Sequence, residues 1–309
     1  MELKGYAVQG DEEETRGPVG DATRSPTELD DGERFGAEEK KVKGGVQGTC
    51  RLCRHPKLLQ DSHLLPKLMY RWLNAAKHKG TAPFKRSPRD GVFSTSKHVT
   101  AYMLCSDCER LLSQHGEDHF GKVAVAHGSI PPALSWCREV LRPHERGDGP
   151  YSVAHIGESP FVNASIFYFL VSVFWRASLT GWPAVQPIKL PAESQEQMRA
   201  YLLDPSVPIP DVSIGIYPNF WTAYWGLLFP VALGDGWSFM FSQLGFFMSL
   251  EKRNETNLLA AGQIPLFLAL DRAWVTRMIE GQKRSVMKAT RRLRPGRTLP
   301  DWINNESVD

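Results

Sequence analysis

The sequence predicts an α+β protein in which a small metal-bound module precedes a larger mixed core and a basic helical tail. Four of its five cysteines form two Cys-x-x-Cys pairs, a spacing typical of a metal site rather than of a disulfide framework. Segments with helical apolar spacing alternate with segments of strand-like composition. Of the 309 residues, 42% are hydrophobic and 23% are charged, which excludes a purely disordered or collagenous chain.

The chain begins with a predicted disordered arm, residues 1–47. This segment contains twelve acidic and seven basic residues and shows no apolar periodicity. It offers too little apolar area to offset the chain entropy lost on folding. We interpret the arm as a solubilising tail. The alternative is an electrostatic mimic of nucleic acid that shields a basic site.

Residues 48–122 are predicted to form a zinc-binding module. The four cysteines of the two pairs are Cys50, Cys53, Cys105 and Cys108. Four thiolates are the number that a closed, tetrahedral structural zinc site takes. The alternative is four unrelated buried cysteines. The fifth cysteine, Cys137, falls on a predicted core helix and is interpreted as a packed apolar residue.

Local patterns place the second cysteine pair at the junction of a strand and a helix. Proline positions, apolar spacing and strand-like composition predict the elements around it. These are an extended stretch from Cys53 to His63, a helix from Pro66 to Lys77, a loop from Lys79 to Arg89, and strands at Val92–Phe93 and Val99–Leu104. Ser106 and Asp107 are predicted to cap the helix that carries Cys108.

Residues 123–270 are predicted to form the mixed core. A helix that is apolar on all sides, Ser165–Ser178, indicates burial in a sizeable core. The other predicted elements are a helix opened by Pro131 and Pro132, a helix at Ala192–Leu203, and strands at Val212–Ile216, Trp237–Phe241, Leu244–Leu250 and Pro265–Leu270. The apolar runs Ala164–Trp175 and Phe220–Gly234 fall short of the ~20 residues that span a bilayer, which favours buried core segments.

Residues 271–309 form a predicted basic tail with a helix at Asp271–Leu293. Residues 272–297 contain nine bases and one acid, and residues 51–109 contain eleven bases and four acids. Two basic segments predict a nucleic-acid partner, DNA more than RNA, bound through its phosphates. The alternatives are a protein partner, an anionic membrane surface, and a solvated helix that packs on the core.

The first residues, Met-Glu-Leu-Lys-Gly, lack the basic and apolar regions of a signal peptide, so we expect a cytoplasmic protein. No P-loop, nucleophile elbow or glycine-rich dinucleotide turn occurs, so the enzyme classes that use them have no support. His115 and His119 lie four positions apart, as in zinc-protease helices, but Glu117 is misplaced for that motif. A solvent-facing helix end is favoured over a second zinc site.

The order of motifs in the module resembles that of the zinc-bearing HNH nucleases, the ββα-metal or treble-clef group. Cys50-x-x-Cys53 is followed by Asp61-Ser62-His63-Leu64-Leu65-Pro66 and then by Tyr102-Met103-Leu104-Cys105-x-x-Cys108-Glu109. The run Ser62–Lys67 with Tyr70-Arg71-Trp72-Leu73 is similar to a group of uncharacterised bacterial HNH-like proteins. These motifs cover residues 50–120 only. The resemblance implies a treble-clef module and, through the family alone, a role in restriction or phage defence.

The resemblance also implies a role for His63 and a metal-binding position at Glu109. His63 would be the general base that takes a proton from the water attacking a phosphodiester. Glu109 or Asp61 would lie near a divalent ion, Mg²⁺ or Mn²⁺, that polarises the phosphate. Glu109 directly follows the last cysteine of the two pairs, and Asp61 lies two residues from His63 on the same side of an extended segment. Ser62 and Glu109 replace the residues usual at their positions, and the family's orienting asparagine is absent from residues 99–104. Two hypotheses therefore stay open: a metal-dependent endonuclease, and a catalytically inactive zinc module that binds protein or nucleic acid.

Overall fold

The structure, a computed structural model, describes most of the chain beyond the acidic arm. The described residues are 41–42, 45–75, 84–87, 91–94, 98–124, 132–141, 151–154, 164–183, 185–209, 212–221, 227–250 and 266–290. They belong to one compact unit, Lys40–Asp309. The predicted α+β class is confirmed, because this unit combines helices with two sheets whose strands are mainly antiparallel.

The smaller sheet is antiparallel throughout its described strands. In spatial order its strands are β1 (Lys41–Val42), β2 (Gly45–Thr49), β3 (Pro56–His63) and β6 (Thr100–Cys105). β3 and β6 match the predicted stretch to His63 and the predicted strand before Cys105.

Strands β1 and β2 correct the prediction that all of residues 1–47 are disordered. Val46 of β2 is buried and pairs with Leu59 of β3. The strand β2 forms because its neighbour β3 supplies main-chain hydrogen bonds and a buried face. The composition of a glycine-containing pentapeptide does not predict either of these tertiary contacts. The prediction for residues 1–40 lies outside the described residues.

A β-bulge in β6 shapes the end of the sheet that carries the cysteines. The register between β3 and β6 shifts between Gln60 and Asp61, so Met103 is the extra residue on β6. A bulge releases main-chain groups from the ladder and redirects side chains. The Met103 carbonyl accepts a hydrogen bond from the Arg51 N–H at 2.9 Å, which joins the first cysteine pair to β6.

Among the described residues, three helices and a π-helical turn belong to the predicted module. They are α1 (Lys67–Ala75), α2 (Ser106–Leu112), the π-helical turn Ser113–Glu117, and α3 (Asp118–Ala124). α2 begins where predicted, but the predicted cap is wrong. The N-cap is Cys105, which makes no side-chain cap hydrogen bond. Asp107 instead pairs with Lys57 and Arg110 at the surface.

The strands of the larger sheet are β4 (Phe84–Ser87), β5 (Gly91–Ser94), β7 (Tyr151–Ala154), β8 (Ser213–Pro218), β9 (Leu227–Leu233), β10 (Gly236–Phe241), β11 (Leu244–Ser249) and β12 (Leu266–Leu270). Their spatial order is β5-β4-β9-β10-β11-β8-β12-β7. Two pairs, β4 with β9 and β8 with β12, are parallel. The predicted strands in this region are confirmed. β4 corrects the predicted loop at residues 79–89.

Helix α5 (Ala164–Ser178) is the central helix of the core, as predicted, and every residue from Ile166 to Ser178 is buried. Phe169 stacks on Phe120 of α3 with ring centroids 3.9 Å apart, and Phe174 contacts Phe239 of β10 at 5.3 Å. Buried residues from both predicted segments, 48–122 and 123–270, therefore lie in one hydrophobic cluster.

The remaining described helices are α4 (Pro132–Leu141), α6 (Ala192–Leu203) and α7 (Arg272–Thr290). All three match predicted helices. Val275 and Ile279 of α7 are buried against the larger sheet, whereas Arg272, Arg277 and Arg284 are exposed. Across the described residues, no helix combines the length and apolarity that crossing a membrane requires.

Candidate metal centre and histidine site

The two cysteine pairs meet at one point. The sulfur atoms of Cys50, Cys53, Cys105 and Cys108 all lie within 4.8 Å of one another, and those of Cys53 and Cys105 are 4.0 Å apart. Four thiolates at the usual Zn–S distance of about 2.3 Å would be about 3.8 Å apart in a tetrahedron. The cluster therefore fits a metal ion such as zinc. A site with four protein ligands is closed to substrate and serves structure.

A tight turn presents the first pair. The N–H of Cys50 donates to the His55 carbonyl at 3.0 Å, and the N–H of Arg54 donates to the Cys50 carbonyl at 2.8 Å. Arg54 adopts a left-handed conformation with φ of 61°, which reverses the chain after Cys53. The second pair spans the junction of β6 and α2, where the N–H of Cys105 donates to Sγ of Cys50 at 3.4 Å.

The thiols of the cluster share protons unevenly. A hydrogen bond with Cys108 is the main cause that lowers the pKa of Cys50 to about 4, and the same contact raises the pKa of Cys108. Burial raises the pKa of Cys53. A metal ion displaces the remaining protons because the thiolate is the ligand. We therefore expect metal binding to weaken in acid.

Helix α6 supports the first pair from outside. Arg199 donates from Nη1 to the Leu52 carbonyl at 2.7 Å, and its Nη2 pairs with Glu196 at 2.6 Å. Glu196 also contacts Arg54. Arg199 lies close enough to interact with the charge of Cys53. A cation from the core thus offsets part of the negative charge of a zinc tetrathiolate.

His63 ends β3 and is half-buried. Its Nε2 atom lies 3.0 Å from Nδ1 of His98. Burial and then the charge of His98 lower the pKa of His63 to about 4, although Asp61 acts in the opposite direction. His63 is therefore neutral at pH 7, which is the state that a general base requires.

A buried tyrosine of α1 lies behind the two histidines. The ring of Tyr70 stacks on His98, with centroids 4.5 Å apart and an angle of 16° between planes. The Tyr70 hydroxyl accepts the Val99 N–H at 3.4 Å. Burial raises the pKa of Tyr70, so its hydroxyl stays protonated. Packing therefore fixes the position of His98.

Ser62 points away from His63, toward α2. Its hydroxyl accepts the Leu104 N–H at 3.1 Å. Burial is the main cause that raises the pKa of Glu109, while a hydrogen bond with Ser62 and the charge of Arg176 act against it. The Oε1 atom of Glu109 is buried and has no hydrogen-bond partner among the described residues.

Arg176 of α5 is the cation beside this carboxyl. Its side chain is 1% exposed, and Nη2 lies 2.8 Å from Oε1 of Glu117. Nη1 donates to the main-chain carbonyl of His63 at 3.1 Å. Nε and Nη2 donate to the carbonyl and hydroxyl of Ser172 at 3.3 and 3.2 Å. One guanidinium therefore lies close to two carboxyl groups, those of Glu109 and Glu117.

The structure does not bring the three predicted catalytic residues into one group of ligands. Asp61 is exposed and shares a strand face with His63, whereas Glu109 lies beside Ser62 on the other face. Of the residues that the structure describes, only the four cysteines form a group of three or more His, Cys, Asp or Glu that could hold one metal ion. Asp61 and Glu109 therefore do not fit as joint ligands of a divalent ion.

Two other sequence features have simple packing explanations. His115 is exposed, but the adjacent Gly116 packs on Phe169 of α5. The described residues contain no second zinc cluster around His119. Cys137 is fully buried on α4, and burial raises its pKa, as expected for a packed apolar residue.

Three residues of the site were not predicted. His98 immediately precedes the predicted strand Val99–Leu104, and its pairing with a residue 35 positions away leaves no local pattern. Tyr70 belongs to the run Tyr70-Arg71-Trp72-Leu73 that resembles the HNH-like group, but the resemblance assigns it no role. Arg176 did carry a signal, because a charged residue at the end of an apolar, buried helix needs buried partners.

Comparisons of the chain with protein-family models, with curated proteins and with solved structures find no match. The resemblance to HNH nucleases therefore rests on the sequence motifs alone.

Proposed function

We propose that this is a zinc-stabilised, HNH-like protein with a treble-clef module that acts on nucleic acid as an endonuclease, with His63 as general base. The observation that carries the proposal is the placement of a neutral, half-buried imidazole at the end of β3. That strand begins three residues after Cys53, so the zinc site at one end of β3 holds the position of His63 at the other.

The arrangement of elements supports the resemblance. β3, β6 and α2 follow one another as strand, strand and helix, with the cysteine cluster where β6 meets α2. Ser62 and Glu109, which occupy the two positions that bind metal in HNH nucleases, lie close enough to interact. Both facts are expected of a ββα-metal module.

The chemistry assigned to this chain is proton removal. His63 takes a proton from water as the water oxygen bonds to phosphorus and the bond to the leaving oxygen breaks. A divalent ion, when bound, supplies charge stabilisation at the phosphate. Because Asp61 and Glu109 do not converge, we assign that ion neither ligands nor a step.

Exposed bases on α7 supply a surface for nucleic acid. Arg272, Arg277 and Arg284 are exposed while the opposite side of the helix is buried. Such a surface would bind phosphates with an affinity that falls as salt rises. Duplex DNA is the first substrate to test and RNA the second. A role in defence against phage follows from the resemblance alone.

A second candidate is a zinc module that binds nucleic acid or protein without cleaving. One observation favours it: the buried guanidinium of Arg176 lies beside Glu109, where a divalent cation would otherwise be attracted. A fixed positive charge disfavours a second cation nearby. In this second candidate, the chain keeps the structural zinc site but lacks a site for a catalytic divalent ion.

The test compares the zinc-loaded wild type with His63→Ala and His115→Ala. Each protein is incubated with plasmid DNA or RNA in Mg²⁺, in Mn²⁺ or without added ions. We expect His63→Ala to lower cleavage about 100-fold or more, the contribution typical of a general base. His115→Ala removes an exposed imidazole outside the site and should leave cleavage unchanged.

Equal cleavage by wild type and His63→Ala would reject the enzyme, because background nuclease would then explain both. Salt-dependent binding by a wild type that cleaves nothing would select the second candidate.

A further inference from the structure

The contact between His63 and His98 allows one arrangement of hydrogens at a time. Two ring nitrogens at 3.0 Å share one hydrogen, so one imidazole donates and the other accepts. The contact uses Nε2 of His63. When His63 is the donor, its Nδ1 is the ring nitrogen that can take a proton from elsewhere.

Main-chain contacts hold both histidines in this geometry. The N–H of Leu64 donates to the Val99 carbonyl at 3.0 Å, which joins the residues that follow each histidine. Arg176 holds the carbonyl of His63, and the ring of Tyr70 stacks on His98. A base positioned in this way loses less freedom when it reacts.

From this geometry, and resting on the function proposed above, we propose that His98 is a positioning residue for His63. His98 accepts the Nε2–H of His63 at its own Nδ1. This fixes the tautomer of His63 whose Nδ1 lone pair faces the attacking water.

A water proton passes to Nδ1 of His63 as the water oxygen bonds to phosphorus. The bond from phosphorus to the leaving oxygen breaks, and the leaving oxygen takes a proton from solvent. His63 becomes an imidazolium that still donates from Nε2 to His98. An imidazole nitrogen that accepts a hydrogen bond carries no negative charge, so His98 orients the base without the large rise in basicity that a carboxylate partner would cause.

Two variants separate positioning from folding. His98→Ala removes the acceptor, whereas His98→Asn places a carboxamide oxygen near the position of Nδ1. Nitrogen-15 NMR of the imidazoles in the full chain reports the tautomer of His63 directly. Cleavage kinetics report kcat and KM, and His115→Ala is again the control.

We expect wild type and His98→Asn to show the Nε2–H tautomer of His63, and His98→Ala to show a mixture of tautomers. We expect His98→Ala to lower kcat about 10- to 100-fold, as for loss of other orienting partners, with KM unchanged and with recovery in His98→Asn.

A wild type that cleaves, together with a His98→Ala variant that matches it in kcat and tautomer, would overturn the inference and leave the proposed function standing. A wild type that cleaves nothing would overturn both. Equal losses in His98→Asn and His98→Ala would also overturn the inference, because they would point to a structural role.

Discussion

Arg176 donates a hydrogen bond from Nη1 to the main-chain carbonyl of His63, 113 positions earlier in the sequence, at 3.1 Å. The same guanidinium pairs with Glu117 and is 1% exposed. The central helix of the core therefore contacts the strand end that carries the candidate base. A buried charge of this kind is tolerated only while its partners remain.

Replacing Arg176 with methionine tests this dependence. Methionine has an apolar side chain of similar length to that of arginine. The substitution therefore leaves Glu109 and the 19% exposed Glu117 without their cation. We expect a loss of about 3–5 kcal/mol in the free energy of unfolding, the usual effect of breaking a buried ion pair. Urea denaturation at pH 7 measures it.

Three further variants complete that experiment: Arg110→Met, Glu117→Gln and the double variant Arg176→Met/Glu117→Gln. Arg110→Met removes an exposed arginine that pairs with Asp107 at the surface, and its cost should stay within about 1 kcal/mol. In the double variant Arg176→Met/Glu117→Gln, the loss should be smaller than the sum of the single losses. Strict additivity would show that Arg176 and Glu117 do not interact.

The zinc site gives the second prediction. Cys108→Ser removes one of four clustered sulfurs, whereas Cys137→Ser changes an equally buried cysteine outside the cluster. We expect one zinc per wild-type chain and almost none in Cys108→Ser, which should also unfold at a much lower temperature. Structural zinc sites contribute to folding directly, with binding free energies of about 10 kcal/mol or more in small domains.

Metal analysis of the purified proteins and thermal unfolding check this prediction. Cys137→Ser should retain one zinc per chain, because its buried thiol lies outside the cluster. Retention of zinc by Cys108→Ser, or its loss from Cys137→Ser, would contradict the assignment of the four ligands.

Much of the local structure follows from the sequence, for identifiable reasons. Helix α5 could be predicted because its residues are apolar on all sides, and α1 because Pro66 marks its start. Strands β2 and β4 could not. The segments Gly45–Thr49 and Phe84–Ser87 lack strand-like composition over enough length, and they form strands because β3 and β9 lie beside them.

The residues of the candidate site also differ in whether the sequence could predict them. The four cysteines could be predicted because two short-range spacings carry the signal, and four thiolates match the number of zinc ligands. The contacts that His98 and Arg176 make with His63 depend on tertiary packing. Neither contact produces a regular spacing in the sequence from which it could be predicted. Asp61 and Glu109 lie apart for a simple reason: adjacent positions of β3 face opposite sides of the sheet, and Glu109 lies beside Ser62.

The pKa of His63 gives a third prediction. It falls from 6.5, the ordinary value, to about 4 in the fold. Between these values the unfolded chain binds more protons than the folded chain, so stability is lost as pH falls from about 6.5 to about 4. His63→Gln removes this proton uptake, and its stability should fall less than that of the wild type over the same range.

Urea denaturation at pH 7 and at pH 4.5 measures this difference, and an NMR titration of the His63 ring locates its midpoint directly. A midpoint at pH 6 or above would contradict the prediction and would leave His63 partly charged under the conditions proposed for catalysis.

Gly116 and Gly121 give a matched pair that tests how the module packs on the core. A Cβ at Gly116 would lie 2.9 Å from the main-chain N and Cα of Phe169 in α5, whereas a Cβ at Gly121 would meet the end of the partly exposed Leu68 side chain. The backbone of a buried helix cannot move aside as a side-chain methyl can.

Gly116→Ala should therefore cost about 1–3 kcal/mol of unfolding free energy. In Gly121→Ala, the gain in helix propensity, about 1 kcal/mol, should offset the free-energy cost of moving the Leu68 side chain. Equal losses in the two variants by urea denaturation would mean that the π-helical turn does not pack directly on α5.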